Sequence, residues 1–420
     1  MAAAALPNAG QRLALLLVLL LTPGPLQALP TDLDRSQRAA DLLSPGGTQL
    51  TYRPRRDAGA LLDAQADDAR IAPGRRLYHR DWLAVPSPGQ PLAGPDFDAG
   101  GCADCHVETA REAAQHAILI ARPALAAHRQ RYGRQLRQHR HGGGAPEAGI
   151  HVRWVRTTVT DANGGRRRLR RPVAAARMRD GEVVPVALRS APLLFGWGLI
   201  AKLDPDLLGA FHDPQDRDGD GISGRMARRG KAMAFLGWKN AQSSLRGQIR
   251  AALHNDMGVT AGRGGEISSA ELDALAQYVA RLGVPARRPM VDEQRGHLLF
   301  GRVGCADCHV PALITAPQAD PAFSEQLIWP YSDMMLHDMG PGLADPGDDA
   351  LAAEWRTAPL WGLGLVEKRF PQRGFLHDGR AVDIEEAILW HGGEGRAARD
   401  RFMALSRDDR NTLLTFVRAL

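Results

Sequence analysis

The hexapeptide Cys-Ala-Asp-Cys-His-Val occurs at residues 102–107 and again, unchanged, at 305–310. CxxCH is the attachment sequence for a c-type haem: two thiols form thioethers with the porphyrin vinyls, and the adjacent histidine reaches the iron as proximal ligand. The spacing suits this chemistry because both sulfurs must face one porphyrin edge while the imidazole turns under the ring. Cys102 and Cys105 with His106, and Cys305 and Cys308 with His309, use all four cysteines of the chain. A zinc knuckle needs four ligands and prefers a histidine some residues from the second cysteine. A redox CxxC calls for one pair in a βαβ setting, and a plain disulfide explains neither histidine. The residues therefore predict two covalently bound c-type haems.

The sixth ligand decides whether an iron carries electrons or does chemistry, since His/Met or His/His saturates it and an open position admits peroxide or another small ligand. In the second half the letters offer Met334, Met335, His337, Met339, His377 and His391, and leave the choice open. His391 follows a short helix expected to start near Asp383 and precedes Gly392 and Gly393, which let backbone approach closely. A candidate calcium site is Asp216, Asp218, Asp220 and Gly221, the first half of an EF-hand loop. Position twelve of that loop is Ala227, not the bidentate glutamate. The bland alternative is an Asp/Gly turn with Arg225 as partner.

The elements that must position these residues are themselves duplicated. Arg189-Ser-Ala-Pro-Leu193 follows the first CxxCH and Arg356-Thr-Ala-Pro-Leu360 the second, each trailed by Gly-x-Gly-Leu. Each half then closes on one helical pattern: Ser268, Glu271, Leu275, Tyr278, Val279 and Leu282 recur at the same offsets as Ser406, Asp409, Leu413, Phe416, Val417 and Leu420. Serine with an acid three residues on is a capping-box start, and the three- and four-residue apolar steps put one stripe toward a core. A pre-cysteine element recurs too, Gly74-x-x-Leu77-Tyr78 against Gly296-x-x-Leu299-Phe300. From His106 to Arg189 is 83 residues, but from His309 to Arg356 only 47. The excess in the first half, with alternating Ile150, Val152 and Trp154 and a turn at Asp161–Gly165, reads as a β-hairpin insertion at about 150–172.

The chain has 420 residues, 53 Lys+Arg, 47 Asp+Glu, a net charge of +6 and 44% hydrophobic residues. That excludes a disordered chain and a disulfide scaffold. Arg12 ahead of the apolar run Leu13–Leu21, then Pro23-Gly-Pro25, reads as a secretory signal peptide over 1–28, too short to cross a bilayer. No stable membrane span is expected after its removal, and a periplasmic location follows. Residues 29–70 read as an N-terminal arm. Between Arg129 and Arg179 lie fourteen arginines and two acids; such a strip is a solvated face or steers an acidic redox partner. Without an aromatic stripe it does not point to nucleic acid.

The two CADCH sites, Asp218–Arg225, Asn255–Gly258, Tyr331–Gly340 and Phe375-Leu-His-Asp-Gly-Arg380 running into Ile388–Glu394 resemble the bacterial di-haem cytochrome c peroxidase superfamily, in its di-haem oxidoreductase subgroup of thiol oxidoreductases and peroxidases. The resemblance spans residues 70–420. It implies a mainly α fold of two tandem cytochrome-c-like haem domains, 71–284 with the small β insertion and 285–420. It selects His391 as distal ligand of the second iron, because His391 lies fourteen residues after His377, where the peroxidases usually carry methionine. The second haem is then the electron relay and the first the reactive one, with His116, His128, His139, His141 and His212 open as its switchable ligand. The chain departs from the family where an acid is expected after Gly198-Leu199-Ile200: Ala201-Lys202 stand there, leaving Glu182 or Asp204 as substitutes, and Trp197 or Trp238 as inter-haem tryptophan. The implied function is a peroxidase-like oxidoreductase drawing electrons from a small cytochrome or cupredoxin and using peroxide or another small oxidant. The alternatives are a non-catalytic electron carrier and a maturation-type enzyme that oxidises a partner protein.

Overall fold

A computed structural model of the protein describes residues 71–84, 94–106, 119–162, 164–230, 232–262 and 264–420, with Ala69. The expected signal peptide, and the arm apart from Ala69, lie outside the described residues. In chain order the elements that build the sites are α1 (Ala72–Tyr78), α2 (Cys102–Cys105), β1 (Leu119–Pro123), β2 (Ala148–Thr160), β3 (Arg166–Met178) and β4 (Val183–Ser190). They continue with α3 (Trp197–Ile200), α4 (Leu245–Met257), α5 (Ser269–Ala280), α6 (Glu293–Val303), α7 (Leu363–Arg369), α8 (Ile384–Leu389), α9 (Arg396–Ala404) and α10 (Arg407–Ala419).

The duplicated letters become duplicated packing. α5 starts on a full capping box, Ser268 with Glu271, and α10 on Ser406 accepting from the Asp409 amide. α1 lies on α5, and α6 on α10. The approach is close at the repeated glycine: a Cβ on Gly74 would sit 2.0 Å from the Ala274 carbonyl oxygen, and one on Gly296 2.6 Å from Phe416 Cβ. Only glycine fits there.

The expectation of a mainly α fold is overturned: the structure is about 33% helical and 21% strand. Among the described residues an antiparallel sheet of order β1-β4-β3-β2 lies in the first half, and two-stranded ribbons occur in both halves. The hairpin runs from Ala148 to Met178, longer than 150–172, because the ladder continues past Pro172, where Ala174–Arg177 also pair with Val183–Val186 of β4. β1 and β4 are short apolar runs whose period alone does not separate strand from helix.

Nor do two tandem cytochrome-c-like domains appear, because the cores are shared along the chain. One core joins Trp197, Leu199 and Leu208 to Val310, Leu313, Met334 and Trp361. A second packs α6, α8 and α10 around Trp355 and takes in Leu169 from β3. The tip of the β2–β3 hairpin is also tied there by polar contacts. Arg167 pairs with Asp383 and with Glu385 at 3.0 Å, the Arg170 amide donates to Glu386 at 3.2 Å, and Asp161 pairs with Arg410. Part of the arginine strip is thus internal glue, not a solvated face. A third core holds α1, α4 and α5 together around Trp82 and Tyr278.

Candidate functional site

Cys305 and Cys308 flank the single 3-10 turn Cys305–Asp307, reached from α6 through Gly304 at φ +91°. His309 follows, and its Nδ1 donates to the Tyr331 carbonyl at 2.8 Å. His391, just past α8, donates from Nδ1 to the Ala387 carbonyl at 2.8 Å. A carbonyl only accepts, so each Nδ1 carries the proton and each Nε2 keeps a lone pair, with no protein partner among the described residues. Burial lowers the His309 pKa to about 4 and depresses that of His391, so both rings are neutral. Anchoring Nδ1 on a backbone carbonyl is how metal-ligating histidines are oriented.

Both histidines and both cysteines line one cavity of about 260 Å³, walled largely by apolar side chains such as Phe300, Trp197, Trp361, Phe375 and Val417. Burial raises the Cys305 thiol to about 12 and also raises that of Cys308, so neither is charged. A greasy chamber with two thiols on one wall and two imidazole lone pairs fits a planar porphyrin.

The other candidate ligands of this site are otherwise engaged. His337 has both ring nitrogens taken, Nε2 by Asp333 and Nδ1 by Glu394, each at 2.8 Å. Burial alone would discharge it, but hydrogen bonds with Asp333, Cys308 and Glu394 raise its pKa above the ordinary value and keep it protonated. It therefore offers no lone pair to a metal, although Cys308, Asp333 and His337 cluster within 4.8 Å. His377 lies flat on Trp355, ring centroids 3.6 Å apart. Met334 and Met335 are buried beside Trp197, off the cavity wall, whereas Met339 lines it near His391.

At the first CxxCH, α2 carries Cys102 and Cys105, and His106 donates from Nδ1 to the Pro192 carbonyl at 3.0 Å. Burial, with Arg373 adding to it, lowers the His106 pKa to about 4. The Tyr78 hydroxyl donates to the His106 carbonyl at 2.9 Å, which ties the repeated aromatic of α1 to the motif. Pro192 also lines the cavity of His309 and His391, together with Ala191 and Leu193. The segment that orients the first histidine is thus a wall of the second site.

Of the histidines expected near the first iron, His116 lies outside the described residues. His128 contacts Glu182 at 3.2 Å, His139 and His141 rest on Phe97, and His212 accepts from the Met226 amide at 3.1 Å. Glu182 also binds Arg131 and Tyr132, and Asp204 caps the turn at Pro205–Gly209. Trp238 donates to the Ser190 carbonyl and, like Trp197, lines the second cavity. Asp216, Asp218 and Asp220 each bring a carboxylate oxygen within 4.8 Å of the others. Arg225 turns instead to Glu354, at 3.2 Å.

The sequence reading missed a pair of acids beside Cys105, Asp98 buried and Asp256 half-buried. Gln135 Nε2 donates to Asp98 at 2.8 Å and to Asp256 at 2.7 Å. Burial raises both carboxyls, that of Asp256 to about 7, and each acid raises the Cys105 thiol further. Asp256 stood in plain view in Asn255–Gly258, but nothing in the letters ties it to Asp98.

Neutral, backbone-anchored imidazoles beside paired thiols are a donor set suited to haem. Residues 261–420 match the family described as "Di-haem oxidoreductase, putative peroxidase". That family's description implies haem cofactors. No curated protein and no solved structure matches the chain. No described helix is long and apolar enough to cross a membrane.

Proposed function

We propose that the protein is an exported, periplasmic di-haem c-type cytochrome acting as a peroxidase-like oxidoreductase, its C-terminal haem relaying electrons to a reactive N-terminal haem. The observation that carries this reading is the shared wall: Pro192 orients His106 while lining the cavity of His309 and His391. When bound, haem supplies one-electron chemistry and activation of a small oxidant. Cys102 and Cys105, and Cys305 and Cys308, tether the two groups as thioethers. His309 and His391 would both ligate the second group, which suits electron relay. His106 holds the first, and the described histidines expected opposite it are bonded or packed elsewhere, which leaves that site open to peroxide. Asp256, kept partly protonated beside Asp98, is the acid this geometry offers for moving a proton there. A calcium ion at Asp216, Asp218 and Asp220, and a small cytochrome or cupredoxin as donor, complete the proposal.

A non-catalytic electron carrier is the second reading, favoured by the engagement of Glu182 and Asp204 away from the first CxxCH. Peroxide turnover with a reduced cytochrome donor, combined with a haemochrome count and electron paramagnetic resonance, separates the two. Two haems, one of them high-spin or ligand-accessible in some redox state, with turnover, is the expected result. Two haems low-spin in both redox states without turnover leave only the carrier, and a colourless exported chain overturns both.

A further inference from the structure

The wall of the second cavity includes three arginines and no aspartate or glutamate among the described residues. Two of the three are occupied. Arg356 donates to the carbonyls of Gly237 and Thr357 at 3.0 and 2.9 Å, and Arg399 pairs with Asp400 at 2.8 Å. Arg373, on the 3-10 turn Pro371–Arg373 after α7, has no side-chain hydrogen bond or ion pair among the described residues. Arg373 is half-buried at this wall, and burial lowers its pKa to about 10. The titratable groups that act on it, Cys105 and Tyr78, and His106, on which it acts, are a thiol, a phenol and an imidazole, none of them an anion near neutral pH.

A half-buried cation facing an apolar cavity is stabilised by a counter-charge within reach, and native proteins commonly pair such charges. The missing anion must lie in the cavity that Arg373 faces, and the group this cavity fits carries two carboxylates of its own. Resting on the haem reading above, we infer that Arg373 is the ion-pair partner of a propionate of the haem tethered at Cys305 and Cys308. Its planar fork suits a bidentate carboxylate contact. Because Arg373 also acts on Cys105 and His106, this propionate lies on the side of the second haem that faces the first site. Arg373 is thus a positioning residue: it holds one propionate of the tethered porphyrin and sets a positive charge beside the second haem on the side of the first site.

The test is a spectroelectrochemical titration of both haems in the full mature chain, across about pH 5 to 8, for wild type, Arg373→Gln and Arg373→Lys. A propionate held ionised by a cation gives the wild-type second haem a potential flat in pH over that range. Arg373→Gln should lower the potential of that haem more than of the other and introduce a pH slope, as the freed propionate begins to titrate with reduction. Arg373→Lys should restore the flat profile. A wild-type slope in that range overturns the assignment without any variant. So does a Gln variant whose haems keep their potentials, or shift without a new slope. Wild-type chain without haem overturns this inference and the functional reading together; two haems indifferent to Arg373→Gln overturn this inference alone.

Discussion

His391 and Asp256 are neutralised by the same cause, burial, with opposite uses. For His391 the loss of the proton exposes a lone pair. Replacing it with methionine exchanges a strong nitrogen donor for a thioether, which favours reduced iron. His391→Met should therefore raise the potential of one haem and leave the other unchanged; two unchanged waves in a redox titration would take His391 off the iron. For Asp256 the carboxyl pKa rises from 3.8 to about 7 on folding. Between those values the folded chain holds a proton that the unfolded chain has released, so stability falls as pH rises through that window. At about 1.4 kcal/mol per unit, the deficit above pH 7 reaches about 4 kcal/mol. Asp256→Asn should melt like wild type near pH 4 and above it at pH 8, whereas parallel melting curves at both would contradict the assignment. The tethering residues were legible because chemistry fixes CxxCH within five letters. Asp256 was not, because its partners Asp98 and Gln135 come from other elements and burial cannot be read from type alone.

Helix contacts let the duplicated pattern be tested within one element. Gly296 and Gly301 both lie in α6, but a Cβ on Gly296 would collide with Phe416, and one on Gly301 would meet nothing within 4 Å. Gly301→Ala should add about 0.5–1 kcal/mol by restricting the unfolded chain. Gly296→Ala should remove about 1–3 kcal/mol by forcing α6 off α10. Equal effects in urea unfolding would mean that this crossing is looser than drawn. Capped helices with a single apolar stripe announced themselves in the letters. Of the sheet, only the β2–β3 hairpin did, through alternating Ile150, Val152 and Trp154, since β1 and β4 are apolar runs whose period does not separate strand from helix.

Across the whole molecule, the β2–β3 hairpin contributes more by burial than by charge. Arg167 is 38% exposed on its side chain and its ion pairs are worth little, whereas Leu169 is 2% exposed within the core of α6, α8 and α10. Leu169→Ala should cost about 2–5 kcal/mol and Arg167→Ala under about 1 kcal/mol. The reverse order in thermal melts would assign the docking to electrostatics. Two consecutive domains were the natural reading of a tandem repeat. Tertiary packing overrode it, because Trp197 and Leu169 from the first half complete cores begun by the second.

That interleaving constrains how the polypeptide can be divided. Severing the backbone between residues 284 and 285 leaves two fragments whose raw apolar faces are each other's complement, so neither is a portable module to be grafted onto another scaffold. Coexpressed, they should reassociate, each serving as the other's folding mould.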